Sequence, residues 1–217
     1  MVPSASAEEV LARYLVASKE SALRGVSMEV DFEARIPKLR REGRLHALRI
    51  VTKVGQIRYI VDRFVGDNGV KKDVIARFIS AETENSGPSD DISISHDNYK
   101  FKHRGHLDYS GRVTHVYQVS PRKKRVGLFK GELWVDAETG LAVREAGRWV
   151  KSPSVFLKKV EFIRDYKIQD GKAFPVHTAS VVDTRFWGPA ELNIRYGNFS
   201  CDDSVDHAAI LTTSDAN

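Results

Sequence analysis

A mainly β protein is expected from this chain of 217 residues: a long antiparallel meander that curls into an open or closed barrel, led by one helix. Three observations carry that expectation. The apolar period changes from 3.6 to 2 near Gly25 and stays near 2 for most of the chain. Gly, Asp or Asn punctuates the alternating runs at short intervals, as hairpin turns require. About ten or eleven strands can be counted, nearly all joined by short connections.

The helix is "SAEEVLARYLVASKESALRG". Ser6 is its N-cap and Glu9, three residues on, completes a capping box. Val10, Leu11, Tyr14, Leu15 and Leu23 form its apolar stripe, and Gly25 ends it. "VSMEVDFEARI" follows as a half-buried strand, with Val26, Met28, Val30, Phe32, Ala34 and Ile36 on one face. "LHALRIVTKV" puts His46, Leu48, Ile50 and Val54 on one face, and "GQ" turns the chain into "IRYIVDRF". "GDNG" is a turn, "VKKDVIARFIS" reads as strand or as helix, and "ENSGPSDD" is a loop. Three hairpins come next, turning at "DYSG", "DAETG" and "QDGK", and "AELNIRYGNF" follows the turn "WGP". No internal repeat or domain boundary interrupts the run, so residues 1–217 are expected to be one domain, with a flexible start over 1–7 and a tail over 205–217.

Hydrophobic residues make up 41% of the chain, which allows a core, or a thinner core around a cavity. The net charge of +5 favours anionic partners without selecting one. The one cysteine, Cys201, precludes an intramolecular disulfide, and Asp202 and Asp203 beside it make it a poor nucleophile. No apolar run approaches the ~18 residues that span a membrane. Ala5-Ser6-Ala7 has the small-x-small form that ends a secretory signal, and a native N-terminus fits equally well.

Chemistry-bearing patterns are sparse. His103 and His106 form an H-x-x-H pair, but on a regular strand positions i and i+3 face opposite sides, so surface histidines are expected there. His46, His115 and His177 stand singly in strands. Asp136 and Glu138 belong to a hairpin turn, where Asp serves turn hydrogen bonding. The sequence contains no G-x-S-x-G, G-x-G-x-x-G, P-loop or C-x-x-C. No enzyme, metal or cofactor is expected. Arg122, Lys123, Lys124 and Arg125 form a basic run between two strands, a place where hairpins put solvated charge. It is open to a nucleic-acid or anionic-polymer reading and to contact with anionic lipid.

The order of elements resembles a known family. One amphipathic helix, "VSMEVDFEARI", a curled meander, the hairpin "LWVDAETGLAVRE", then "VEFIRDYKIQDGKAFP" and a final "AELNIRY" are similar to the bacterial outer-membrane lipoprotein carriers, the LolA/LolB-like half-barrels. D-x-x-T-G-L and the later F-x-x-Y-x-x-x-D-G-x-x-x-P carry most of the likeness. The resemblance implies an incomplete barrel of about eleven strands with helices as a lid, for which "KKDVIARFISAE" is the available second helix. It also implies a periplasmic location after signal removal, and lipid or lipoprotein acyl chains held inside; a monomer is expected. No arginine is assigned a lid-gating role. The expected lining is Met28, Val30, Phe32, Leu48, Ile50, Phe129, Leu133, Leu141, Val143, Phe162, Leu192 and Ile194, stripes that otherwise serve as ordinary core. Arg122, Lys123 and Lys124 would meet a headgroup or membrane at the rim. No nucleic acid is expected as the main partner.

Overall fold

A computed structural model describes residues 5–84, 86, 92–152, 157–184 and 188–201. Most of the expected loop at 84–91, the first residue of the "WGP" turn and the tail from 205 lie outside them. The helix α1 spans Ala7–Glu20, and its capping box forms as the sequence indicates: Ser6 accepts from the Glu9 amide, and Glu9 accepts from the Ser6 amide at 2.8 Å. Ten strands follow: β1 (Val26–Ile36), β2 (Arg41–Val51), β3 (Ile57–Gly66), β4 (Tyr99–Tyr109), β5 (Arg112–Pro121), β6 (Phe129–Asp136), β7 (Ala142–Trp149), β8 (Leu157–Gln169), β9 (Lys172–Thr184) and β10 (Gly188–Cys201).

All ten belong to one antiparallel sheet in the order β3-β2-β1-β10-β9-β8-β7-β6-β5-β4. The outer strands β3 and β4 do not pair, so the sheet is open, which decides between the two barrel forms the sequence allowed. Every neighbour in the sheet is a sequence neighbour except at one seam, where β1 pairs β10 from Val26↔Cys201 to Arg35↔Glu191. The hairpin tips at Ser110-Gly111 and Asp170-Gly171 each place two successive residues at positive φ, between 50° and 78°. That backbone suits the twist of the strands it joins, and it is why Gly ends both turns. Register shifts interrupt several pairings, for example between Trp134 and Val135 and between Asp165 and Tyr166, and each such bulge adds local twist.

The sharpest approach is at Gly131 and Gly147, which face each other across β6 and β7. A Cβ on Gly131 would lie 2.0 Å from the Ala146 carbonyl oxygen, and one on Gly147 would lie 2.5 Å from that of Lys130. Only glycine lets the two backbones press together there.

Two helical segments cover one face, here the inner face. α1 is tied down at both ends of its first half. The Tyr117 hydroxyl donates to the Ala7 carbonyl at 2.6 Å, and Arg13 donates to the Ala137 and Glu138 carbonyls. Beneath it lies a cluster with Val10, Tyr14, Tyr99, Tyr117, Phe129 and Leu133. The second segment is the stretch "VKKDVIARFIS", and it is helical. A first turn, Asn68–Val70, is capped by Asp67 through the Val70 amide at 3.0 Å. A π turn, Lys71–Ile75, and a regular helix, Ala76–Glu84, continue it. This 68–84 arm buries Val70, Val74 and Ile75 against Met28, Val30, Phe32, Leu192 and Ile194.

One sequence expectation needs correction. β2 pairs β1 with His46↔Asp31, Leu48↔Glu29 and Ile50↔Ser27, whereas Phe32 faces Leu45 and Met28 faces Arg49. Residues directly opposite share a face. Leu48 and Ile50 therefore stand on the outer side with Glu29 and Ser27, not on the inner face with Phe32. Ile50 is buried, but it belongs to neither core cluster. The short 3-10 turn Pro37–Leu39 sets this register, and a slip of one residue exchanges faces.

Candidate ligand pocket

The two helical segments leave the middle of the inner face between them. A pocket lies there. Asp73, Val74, Arg77, Phe78 and Ala81 of the 68–84 arm form one wall. Trp149, Val160, Phe162, Arg164, Thr178, Ser180, Val182, Thr184 and Leu192 supply the floor from β7 to β10. Its cavity volume is about 30 Å³. A water needs roughly 10–15 Å³ on that measure, so a longer occupant requires the arm to lift.

The arm is fastened at its far end. Glu82 receives Arg49 of β2 in a two-pronged ion pair, with Nε to Oε2 and Nη2 to Oε1 both at 3.2 Å. Tyr59 of β3 donates its hydroxyl to the same carboxylate. Arg49 is 8% exposed. Burial pushes the Glu82 carboxyl up, but the Arg49 guanidinium and then Arg164 outweigh it, and on balance the group stays below its usual range. Glu82 is therefore an anion tying the helix to the sheet.

A second polar group lies on the pocket floor. The Arg164 Nε donates to the Thr178 hydroxyl at 3.3 Å, and its guanidinium sits 6.0 Å from the Phe162 ring centre. Tyr166, two residues along β8, donates to Glu145 at 2.9 Å. Burial pushes the Glu145 carboxyl up, against the pull of Arg164 and the Tyr166 hydrogen bond. Glu145 occupies the β7 position opposite Leu133.

The expected lining residues separate into groups. Phe162 and Leu192 line the pocket. Met28, Val30, Phe32 and Ile194 are packed under the arm, and Phe129 and Leu133 are packed under α1. Leu141 and Val143 are buried outside both clusters. Sequence reasoning missed Arg49, Glu82, Glu145 and Arg164. Their signal was a charge standing in phase with an inner apolar stripe, as in Leu45-Ala47-Arg49-Val51 and Phe162-Arg164-Tyr166.

The basic run lies in the β5–β6 connection, where Arg122, Lys123 and Lys124 are exposed. Arg122 donates through Nε to the His96 carbonyl at 2.8 Å and borders a shallow groove of about 520 Å³ beside the start of α1. His96, Lys100 and His103 line the same groove.

The H-x-x-H pair behaves differently from a regular strand. β4 carries a bulge between His103 and Gly105, and the extra residue puts His103 and His106 on the same side. His115 of β5 lies between them, with its Nδ1 3.2 Å from His103 Nε2 and its ring stacked on His106 at 5.6 Å. Among the described residues no group of three potential ligands has metal-holding geometry. The Nε2 atom of His115 is buried without a partner. Burial, then His103 and His106, hold the His115 pKa below its ordinary value. The unfolded chain therefore takes up a proton there first as the pH falls below about 6.5. His46 has the opposite sign: its hydrogen bond to Asp31 raises its pKa, so its contribution is present below about 6.5 and fades as the pH rises through the folded value. We expect His115→Phe to shrink the drop in Tm between about pH 7.5 and pH 5.5. Thermal melts at both pH values test this, and an unchanged drop would assign the acid sensitivity elsewhere.

No family model matches the sequence, and no curated protein matches it. Solved structures do match. A LolA superfamily protein from Nitrosomonas europaea superimposes with a TM-score of 0.51, covering 89% of this chain and 94% of that one at 9% identity. The chain has a LolA-like fold. The family likeness read from the element order holds at that level. A DUF1329 family protein from Desulfovibrio piger matches over 92% of this chain and 98% of its own, at 14% identity and a TM-score of 0.47. A domain proposed to act in outer membrane lipoprotein sorting, from Vibrio parahaemolyticus, matches over 94% and 99% at the same identity and TM-score. On this LolA-like sheet, the pocket occupies the inner face beneath the 68–84 arm.

Proposed function

We propose that this protein is a binding protein, not an enzyme, that takes acyl chain of a lipid or lipoprotein into the pocket under the 68–84 arm. The observation that carries the reading is the pocket's build: Phe78, Val160, Phe162, Val182 and Leu192 face one another across a helix that a buried ion pair holds shut. Each buried methylene contributes about 0.8 kcal/mol, so even a short acyl segment offsets the opening of such a cover. The LolA-like fold supports a carrier-like role, and a periplasmic location belongs to the same proposal. Arg122, Lys123 and Lys124 would meet the headgroup or membrane at the rim. The inner apolar residues Met28, Val30, Phe32, Phe129, Leu133 and Ile194 would become accessible to longer chains as the covers part.

Native mass spectrometry of the purified protein, with organic extraction of what accompanies it, tests the reading. Copurified lipid is the expected result. Ser180→Phe fills the pocket floor with a ring and should remove the adduct by at least about tenfold, with circular dichroism confirming that the β fold is kept at the assay temperature. An apo mass in the wild type, together with steeply salt-dependent retention on nucleic acid, would overturn the pocket and favour the basic run 122–125. The same spectrum reads the expected monomer.

A further inference from the structure

The pocket is not uniformly apolar, and the charged residue on its floor is Arg164. The residue sits between Phe162 and Tyr166 on β8, with Val160 and Val182 also on the floor. An arginine placed among apolar residues normally has a carboxylate within reach. Here, among the described residues, no carboxylate lies within 4.0 Å of its guanidinium. Its neighbours are hydroxyls, Thr178 at 3.3 Å and Tyr166. The two carboxylates whose charge reaches it, Glu145 and Glu82, make their hydrogen bonds elsewhere. Glu82 is held by both prongs of Arg49, and Glu145 accepts the Tyr166 hydroxyl. Burial raises the Glu145 pKa, and Arg164 and the Tyr166 hydrogen bond pull it back down. The other cation of the pocket, Arg77, is paired with Asp73 at 3.3 Å.

We propose, building on the acyl-binding reading, that the occupant is an anionic amphiphile whose carboxylate or phosphate is received by the Arg164 fork while its hydrocarbon lies along Phe162, Val160 and Val182. A guanidinium presents parallel N–H donors that match two oxygens of either anion. Thr178 takes the Nε donor, so a ligand would share the outer nitrogens only with the Tyr166 hydroxyl. The low-dielectric walls strengthen the attraction relative to a surface site. The pocket would thus select by head charge as well as by chain.

The test uses the full chain and a neutral fluorescent probe, N-phenyl-1-naphthylamine, displaced by four twelve-carbon amphiphiles: dodecanoate, dodecyl phosphate, dodecanol and dodecyltrimethylammonium. Both anions should displace the probe at concentrations at least about tenfold below dodecanol, because a charged hydrogen-bonded contact is worth that factor or more. Whichever anion ranks first tells a free carboxylate from a phosphate head. In Arg164→Gln the anion-to-alcohol ratio should fall close to one, and in Arg164→Lys it should fall less, since the charge stays and the fork is lost. Equal displacement by all four in the wild type, or an anion preference that survives in Arg164→Gln, overturns this proposal and leaves the acyl pocket standing. Failure of the wild type to take up the probe overturns both. If circular dichroism shows Arg164→Gln unfolded, Arg164→Lys decides: a reduced ratio supports the assignment and an unchanged one overturns it.

Discussion

Arg49→Met should lower stability by about 3–5 kcal/mol, because it strands a carboxylate in the interior. Arg49 and Glu82 share two contacts at 3.2 Å, and their side chains are 9% and 17% exposed. Without the guanidinium, Glu82 keeps one hydrogen bond, from the Tyr59 hydroxyl, and the more distant pull of Arg164, which together do not replace the two-pronged pair. Glu82→Leu should be as damaging, since it strands Arg49 beside Met28. The double replacement, Arg49→Met with Glu82→Leu, should recover much of the loss, because two apolar side chains of similar volume need no compensation. Urea denaturation of the four proteins completes the cycle. Hydrogen exchange adds where the loss falls: amides of 76–84 should exchange faster before those of β1 and β10, as expected if the pair fastens the arm rather than the sheet. A single replacement costing under about 1 kcal/mol would show the pair to be solvated and the arm to be held by Val74 and Ile75 instead.

Gly131→Ala should cost about 3 kcal/mol, the upper end for overpacking. The new Cβ meets the Ala146 carbonyl oxygen at 2.0 Å and the Gly147 Cα at 2.6 Å. Both are backbone atoms of β7, so no side chain can swing aside. Strands β6 and β7 would have to part, and Phe129, opposite Trp149, would lose its packing under α1. Gly197→Ala is the matched control. Nothing lies within 4 Å of its new methyl, and its effect should stay within about 0.5 kcal/mol. Equal Tm values for the two variants would mean that the close approach at Gly131 is not a feature of the folded protein.

Much of the scaffold was legible before any coordinate. Ser6 and Glu9 announce the helix start by spacing alone, and Ser110-Gly111 and Asp170-Gly171 announce two-residue turns by backbone preference. The alternation of Val26 to Ile36 fixes which of its residues are inside. What alternation cannot transmit is phase from one strand to the next. Leu48 and Ile50 look identical to an inner stripe until the turn at Pro37–Leu39 sets the register. The same limit hid the same-side placement of His103 and His106, where Gly105, at φ 134°, was the one local hint of a bulge. The 68–84 arm was ambiguous because β-branched residues such as Val70, Val74 and Ile75 suit both a strand and a buried helix face. The pocket's charges were passed over for a different reason. Arg49 and Arg164 are read as solvated until one notices that they fall on the inner phase, and only the fold says what stands opposite them.

The seam between β1 and β10 fixes when this protein can become itself. β1 can pair β2 through a short turn, but its other edge has no partner until residues 188–201 are in place. Until then the strip from Met28 to Ile36 is a hydrophobic edge with half its hydrogen bonds unmade, the kind of surface that chaperones hold and that aggregates recruit. Acquisition of the native state is therefore a late event that joins the first strand to the last, slow for a chain of this size because so much of its centre depends on distant partners.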